Sequence, residues 1–144
     1  MSDIKRISPQ EAHDKVAEGW VYVDVRTVEE FEAGHPAGAI NAPIAHAGRG
    51  GMQPNGDFVR VMNAAFPKDT RIVVGCKAGG RSLRAAQVLA AEGFTNLVDQ
   101  RAGWDGSRDP FGQLAEPGWL RAGLPVEQGQ PAGRSWTDLL RKAG

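Results

Sequence analysis

Two hydrophobic rhythms alternate along this chain. Short, nearly continuous apolar runs at Val21-Tyr22-Val23-Asp24-Val25, Arg71-Ile72-Val73-Val74-Gly75 and Asn96-Leu97-Val98 are separated by longer stretches that carry helix start and stop signals. Runs of this kind fit strands buried on both faces, and their alternation with helices predicts βαβ units around a parallel sheet. Ser8-Pro9-Gln10-Glu11 is a capping box with proline at the first helical position, which predicts a helix to about Glu18. Thr27-Val28-Glu29-Glu30 repeats the signal for a shorter helix that stops near Gly34. Further helices are expected from Phe58 to about Phe66 and from Ser82 to Glu92, the second closed by Gly93 in the C-terminal capping position. Ala39-Ile40-Asn41 reads as one more short strand. Residues 45–57 read as a long polar loop, and residues 101–119 as irregular chain rich in Gly, Pro and Trp. After Ser135, Trp136, Leu139 and Leu140 share one helical face, expected to pack back on the parent domain.

Composition narrows the class. The 144 residues, 41% of them apolar, suit one domain, expected to span residues 1–127 with 128–144 as a linker and short helix. Seventeen Lys and Arg balance seventeen Asp and Glu, so no global field favours nucleic acid or an anionic membrane, and any anion site must be local. One cysteine excludes an intramolecular disulfide, a Cys-x-x-Cys redox pair and a multi-cysteine zinc site. A lone thiol suits a reducing compartment. With no apolar leader at Met1-Ser2-Asp3-Ile4 and no stretch of membrane-spanning length, a cytoplasmic location is expected. His13 and His46 lack partners at metal-ligand spacing, and neither metal nor cofactor is expected.

The chemistry concentrates in Gly75-Cys76-Lys77-Ala78-Gly79-Gly80-Arg81-Ser82. Cys76 follows a buried strand and a turn leads from it into a helix, the place where open α/β sheets bind ligands. Such a turn aims backbone N–H groups and the positive helix end into one concavity. Gly79 and Gly80 allow the amides to converge, while Lys77 and Arg81 add cations that favour a nucleophilic thiolate. Three readings follow. Gly75-x4-Gly80-Arg81-Ser82 is one substitution from a phosphate-binding P-loop, with arginine in place of the lysine. Cys76-x4-Arg81 is one residue short of the Cys-x5-Arg ring of a cysteine phosphatase. Sulfur transfer fits the smaller cradle: a thiolate takes the outer sulfur of a thiosulfate-like donor, sulfite leaves without needing a general acid, and amides stabilise the anionic persulfide.

These motifs also carry a resemblance. The loop Cys76-Lys-Ala-Gly-Gly-Arg81-Ser82, the upstream Val23-Asp24-Val25-Arg26-Thr27 and Gly34-His35-Pro36-Ala37-Gly38-Ala39-Ile40-Asn41, and the downstream Ala102-Gly103-Trp104 and Gly123-Leu124-Pro125 resemble the single-domain rhodanese sulfurtransferases. That resemblance covers roughly residues 4–127. It implies a rhodanese-like α/β fold with a mostly parallel, five-stranded sheet flanked by helices on both faces. It also implies that Cys76 forms the persulfide, that Lys77, Ala78, Gly79, Gly80, Arg81 and Ser82 hold it, and that Lys77 and Arg81 attract an anionic donor. Thiosulfate or a related donor and an acceptor such as cyanide, a small thiol or a protein thiol are the expected partners. A persulfide carrier or redox-sensing module serving a partner protein is the alternative. Asp24, Arg26 and His35 are expected to be structural, and Trp104 to wall the pocket or anchor the core. Residues 106–118 depart from the family pattern as an insertion, which either covers the pocket mouth, adds Arg108 to it, or is an inert surface excursion.

Overall fold

The computed structural model describes residues 3–144. In chain order its elements are β1 (Lys5–Ile7), α1 (Pro9–Ala17), β2 (Val21–Asp24), α2 (Val28–Ala33), β3 (His35–Pro36), β4 (Ile40–Asn41), β5 (Ala45–Gly48) and β6 (Gly51–Pro54). They continue with α3 (Phe58–Ala65), β7 (Arg71–Gly75), α4 (Gly80–Ala91), β8 (Asn96–Gln100), β9 (Gly106–Arg108), β10 (Leu114–Pro117), β11 (Val126–Glu127) and α5 (Trp136–Ala143). Five strands form one sheet in the order β1-β8-β7-β2-β4, every neighbouring pair parallel. β7 lies at its centre, so the residues just after it emerge in the middle of the sheet's carboxyl edge.

Side-chain alternation along the strands builds two apolar layers. Val23, Ile72 and Val74 join Val61 and Met62 of α3, Ala85 and Leu89 of α4, and Trp136 and Leu139 of α5 on one face. Tyr22, Val73 and Val98 join Ala12 of α1, Phe31 of α2 and Trp119 on the other. A parallel sheet covered on both faces needs strands with few polar positions, as β2 and β7 have. α5 therefore docks through its Trp136 and Leu139 against the α3 side of the core, with Ser135 capping it by accepting from the Asp138 N–H.

Both anticipated capping boxes form: Ser8 with Glu11 starts α1, and Thr27 with Glu30 starts α2. Caps of this type stabilise a helix by about 1 kcal/mol. Three readings of the sequence need correction. The polar stretch 45–57 contains an antiparallel hairpin, β5 with β6, whose residues are half-buried or exposed and therefore show no hydrophobic alternation. The inserted stretch is also a hairpin, β9 with β10, rather than irregular chain. α4 starts at Gly80, two residues before Ser82, because Gly79 supplies the N-cap without a side chain.

Candidate active site

Cys76 leaves β7 almost fully buried, 3% exposed. Its sulfur accepts the Gly79 N–H at 3.1 Å and lies 3.3 Å from the Ser82 hydroxyl. The loop closes this tightly because Gly79 adopts φ +101°, and a Cβ there would stand 2.3 Å from the Arg101 carbonyl oxygen. α4 begins immediately beyond, with no side chain capping its first N–H groups. Those donors have no intrahelical partner, and the positive helix end lies beside the sulfur. Gly80, by contrast, is an ordinary first helical residue and does not use a left-handed conformation.

The chain returns under this loop after β8. Trp104 N–H donates to the Cys76 carbonyl at 2.8 Å, and Asp105 N–H donates to the Lys77 carbonyl at 2.9 Å. Gly103 permits the approach, since a Cβ there would meet the Lys77 carbonyl at 2.5 Å. Trp104 is thus placed over the Arg26 guanidinium, 4.9 Å from its ring centre. Beside the loop these groups wall a hollow of about 370 Å³, lined by Arg26, Glu30, Lys77, Trp104 and Asp105 among others. Cys76 itself does not line it.

The cations do not converge freely on the sulfur as the sequence suggested. Arg81 makes two hydrogen bonds to Glu30, at 2.8 and 3.1 Å, and Lys77 approaches Asp105 at 3.7 Å with both groups about half exposed. Burial pushes the Glu30 carboxyl up, but its bonds to Arg81 and to the Thr27 N–H outweigh that and hold it at about 2. Arg26 is neutralised as well, by Asp24 at 2.8 Å in an almost fully buried pair, and it also donates to the Gly34 carbonyl at 2.6 Å. Asp24 further accepts the Arg26 backbone N–H. This pair braces the turn after β2.

His35 is fully buried and stacked on Phe31, with its ring nitrogens bonded to the Phe31 carbonyl at 2.6 Å and the Glu127 carboxylate at 3.0 Å. It ties β3 to β11, far from the sulfur in role. Arg108 lies on β9 and lines a smaller neighbouring hollow with Trp104, Asp105, Leu120 and Arg121. Among the described residues no cluster of three or more His, Cys, Asp and Glu is arranged to hold a metal.

Two residues of this site escaped the sequence reading: Glu30 and Asp105. Glu30 was visible only as a helix cap, and its second role requires knowing that α2 faces α4.

With this geometry in hand, comparison with known proteins is decisive for the family. The Rhodanese-like domain matches residues 8–108, and the chain belongs to that family. It is 38% identical over 121 residues to thiosulfate sulfurtransferase 16, chloroplastic, of Arabidopsis thaliana, covering 84% of this chain and 91% of the relative. The senescence-associated protein DIN1 of Raphanus sativus is 35% identical over 117 residues, 81% of this chain, which spans just over half (57%) of that relative. In three dimensions the chain is similar to the crystal structure of Rv0390 from M. tuberculosis, with a TM-score of 0.73 at 27% identity over 89% of this chain and all of the other. The fold is rhodanese-like α/β. No helix among the described residues is long and apolar enough to cross a membrane.

Proposed function

We propose that this protein is a thiosulfate-type sulfurtransferase working through a persulfide on Cys76. The observation that carries the reading is the seat of that sulfur: at the uncapped start of α4, with the Gly79 N–H 3.1 Å away and the Ser82 hydroxyl at 3.3 Å. The family, and a relative named as a thiosulfate sulfurtransferase, support the same chemistry. In the first half-reaction the Cys76 thiolate attacks the outer sulfur of thiosulfate. The S–S bond of the donor breaks and sulfite departs with the electron pair, leaving an anionic persulfide. Preorganised N–H donors stabilise such an anion without reorganising. In the second half-reaction an acceptor, cyanide or a thiolate, attacks the outer sulfur and the Cys76 thiolate is released. The chain has one cysteine, so no internal thiol can resolve the persulfide and the acceptor is external. A lone reactive thiol also favours the reducing cytoplasm.

The hollow beside Lys77 suits a small anion approaching from the sheet edge, with Lys77 and Arg26 as its cationic lining and Trp104 as wall. A second reading, a persulfide carrier docking to a protein acceptor, is favoured by one observation. Phe111, Leu114, Leu120 and Val126 are exposed on the segment that carries the inserted hairpin and the hollow's rim, Phe111 at 88%.

Intact mass spectrometry of the reduced protein before and after thiosulfate, with Cys76→Ser alongside, tests the proposal. The expected result is a gain of one sulfur on the wild type only, removed by cyanide, with Cys76→Ser folded but unreactive. A folded wild type that gains no sulfur overturns the thiosulfate reading. Loading followed by slow release to cyanide and fast release to one protein thiol selects the carrier reading.

A further inference from the structure

The cations next to the sulfur are matched one by one: Arg81 by Glu30, Arg26 by Asp24 and Lys77 by Asp105. Two arginines of the neighbouring hollow are not. Arg108 of β9 and Arg121, in the turn after Trp119, are exposed and make no ion pair or side-chain hydrogen bond among the described residues. The acids of their own segment are already taken. Glu116 of β10 gives its two oxygens to Arg101, at 2.8 and 3.0 Å, and Asp109 accepts the Phe111 and Gln113 N–H groups inside the hairpin turn.

Arg108 and Arg121 line a hollow of about 210 Å³ with Trp104, Asp105 and Leu120. Those last three also line the hollow beside Lys77, so the two hollows share a wall. The wall hangs on the cysteine loop, since the Trp104 and Asp105 N–H groups donate to the Cys76 and Lys77 carbonyls at 2.8 and 2.9 Å. Both arginines stand on backbone anchored to it. A Cβ at Gly118 would meet the Trp104 carbonyl oxygen at 2.4 Å and the Gly106 nitrogen at 2.5 Å, so the base of the β9–β10 hairpin closes against Trp104. Just beyond, the Trp119 N–H donates to the Gly103 carbonyl at 2.8 Å and the Ala122 N–H to the Gly118 carbonyl at 3.0 Å, which sets the turn that carries Arg121.

Two unmatched guanidiniums face a single acid, Asp105, which Lys77 engages, so this hollow attracts an anion, and an arginine fork matches a carboxylate in shape. Thiosulfate cannot use it while reacting. Its outer sulfur is bonded directly to the sulfur bearing the charged oxygens, so a donor at Cys76 keeps its charge beside Lys77. A molecule that spans both hollows must carry its charge several bonds away from its sulfur.

We propose that Arg108 and Arg121 form an anion subsite for the acceptor of the second half-reaction, a small peptide-like thiol bearing carboxylates. A carboxylate docks at the two arginines while the sulfur lies on the Lys77 side of Trp104. The thiol, its proton lost to solvent, attacks the outer sulfur of the Cys76 persulfide. That S–S bond breaks, its electron pair stays on the Cys76 thiolate, and the acceptor departs as a persulfide. No outside oxidant or reductant is consumed.

This subsite deepens the sulfurtransferase reading and rests on it, yet its test needs no sulfur donor. S-methylglutathione, a tripeptide thioether with carboxylates and no thiol, is titrated calorimetrically into wild type, Arg108→Gln, Arg121→Gln and the double variant, and its dimethyl ester into wild type. Thermal melts report folding, which substitutions at exposed, unpaired arginines should leave unchanged. The expected result is a Kd of about 1 mM or tighter for wild type in dilute buffer. Either substitution should weaken binding about two- to fivefold, the scale of an exposed ion pair, and both together more. The preference for acid over ester should fade near 1 M salt. Saturating S-methylglutathione should also slow alkylation of Cys76 by iodoacetamide in the wild type. Equal binding of acid and ester, or a folded double variant that binds as well as wild type, overturns the subsite; should the double variant not fold, the single variants and the ester decide. Binding that leaves Cys76 alkylation unprotected overturns its assignment to the acceptor. No binding to folded wild type overturns the small-thiol ligand and points to an acidic protein surface instead. A wild type that gains no sulfur from thiosulfate would strike the functional proposal and leave these titrations readable.

Discussion

The floor and the rim of the hollow beside Cys76 hold the same chemical pair under opposite conditions. At the floor, Arg26 and Asp24 meet at 2.8 Å with side chains 4% and 2% exposed; at the rim, Lys77 and Asp105 meet at 3.7 Å with 57% and 47% exposed. Between them, Arg81 and Glu30 pair at 2.8 Å with about a quarter of each side chain exposed. Each cation near the sulfur thus has its own carboxylate, and what changes from floor to rim is solvent. A buried pair is fixed, because separating it strands a charge in a low dielectric. An exposed pair is screened and exchanges partners readily. The floor therefore shapes the site, and the rim can release its cation to an arriving anion.

Breaking the floor should have the largest effect. Asp24→Ala leaves Arg26 buried and unpaired, and should lower stability in denaturant titrations by about 3–5 kcal/mol, the usual cost of stranding one member of a buried pair. Sulfur loading should fall with it, since Arg26 also holds the Gly34 carbonyl and supports Trp104. A stability loss below about 1 kcal/mol, the range of exposed pairs, would erase the difference between floor and rim.

That contrast also explains what the sequence made legible. The sheet strands and both capping boxes could be read because local pattern and burial agree in them: β2 and β7 are apolar on both faces, and Ser8 and Thr27 find their partners three residues on. The Cys76 loop was legible for a similar reason, being contiguous. The short β1, with burial confined to Ile7, offered too little pattern. The two exposed hairpins offered none, since a strand with no buried face need not alternate. The pairing of the cations with carboxylates was invisible for a different reason. Glu30 lies 51 residues before Arg81, and only the folded chain brings them together. Cations beside a cysteine in sequence therefore implied an open positive field, whereas the folded site has that charge largely matched.

The middle pair sharpens the comparison. Glu30→Gln keeps the capping geometry at the start of α2, because glutamine serves that position as well as glutamate, but frees Arg81 of its counter-charge. The KM for thiosulfate should fall about two- to fivefold with kcat little changed, the scale of a part-exposed pair worth 0.2–1 kcal/mol. An unchanged or raised KM would mean that Arg81 serves structure alone. Acid titration gives a second reading of the same variant. The Glu30 carboxyl is held at about 2, below its ordinary 4.5, so the pair's contribution is complete above about pH 4.5 and is lost as pH falls through about 2. The stability gap between wild type and Glu30→Gln should be constant at neutral pH and close on acidification. A gap that persists at pH 2 would show that the ion pair is not its source.

At the rim the effect should be smallest and should depend most on salt. Lys77→Ala removes a half-exposed ammonium whose partner stands at 3.7 Å, and should change stability by less than about 0.5 kcal/mol. Its mark should be on donor capture: the thiosulfate KM should rise modestly in dilute buffer, and the difference should vanish near 1 M salt, where the screening length is about 3 Å. A salt-insensitive rise would place Lys77 in direct, desolvated contact with the donor. The rim would then be part of the rigid site, and the gradient from fixed floor to exchangeable rim would end at Arg81.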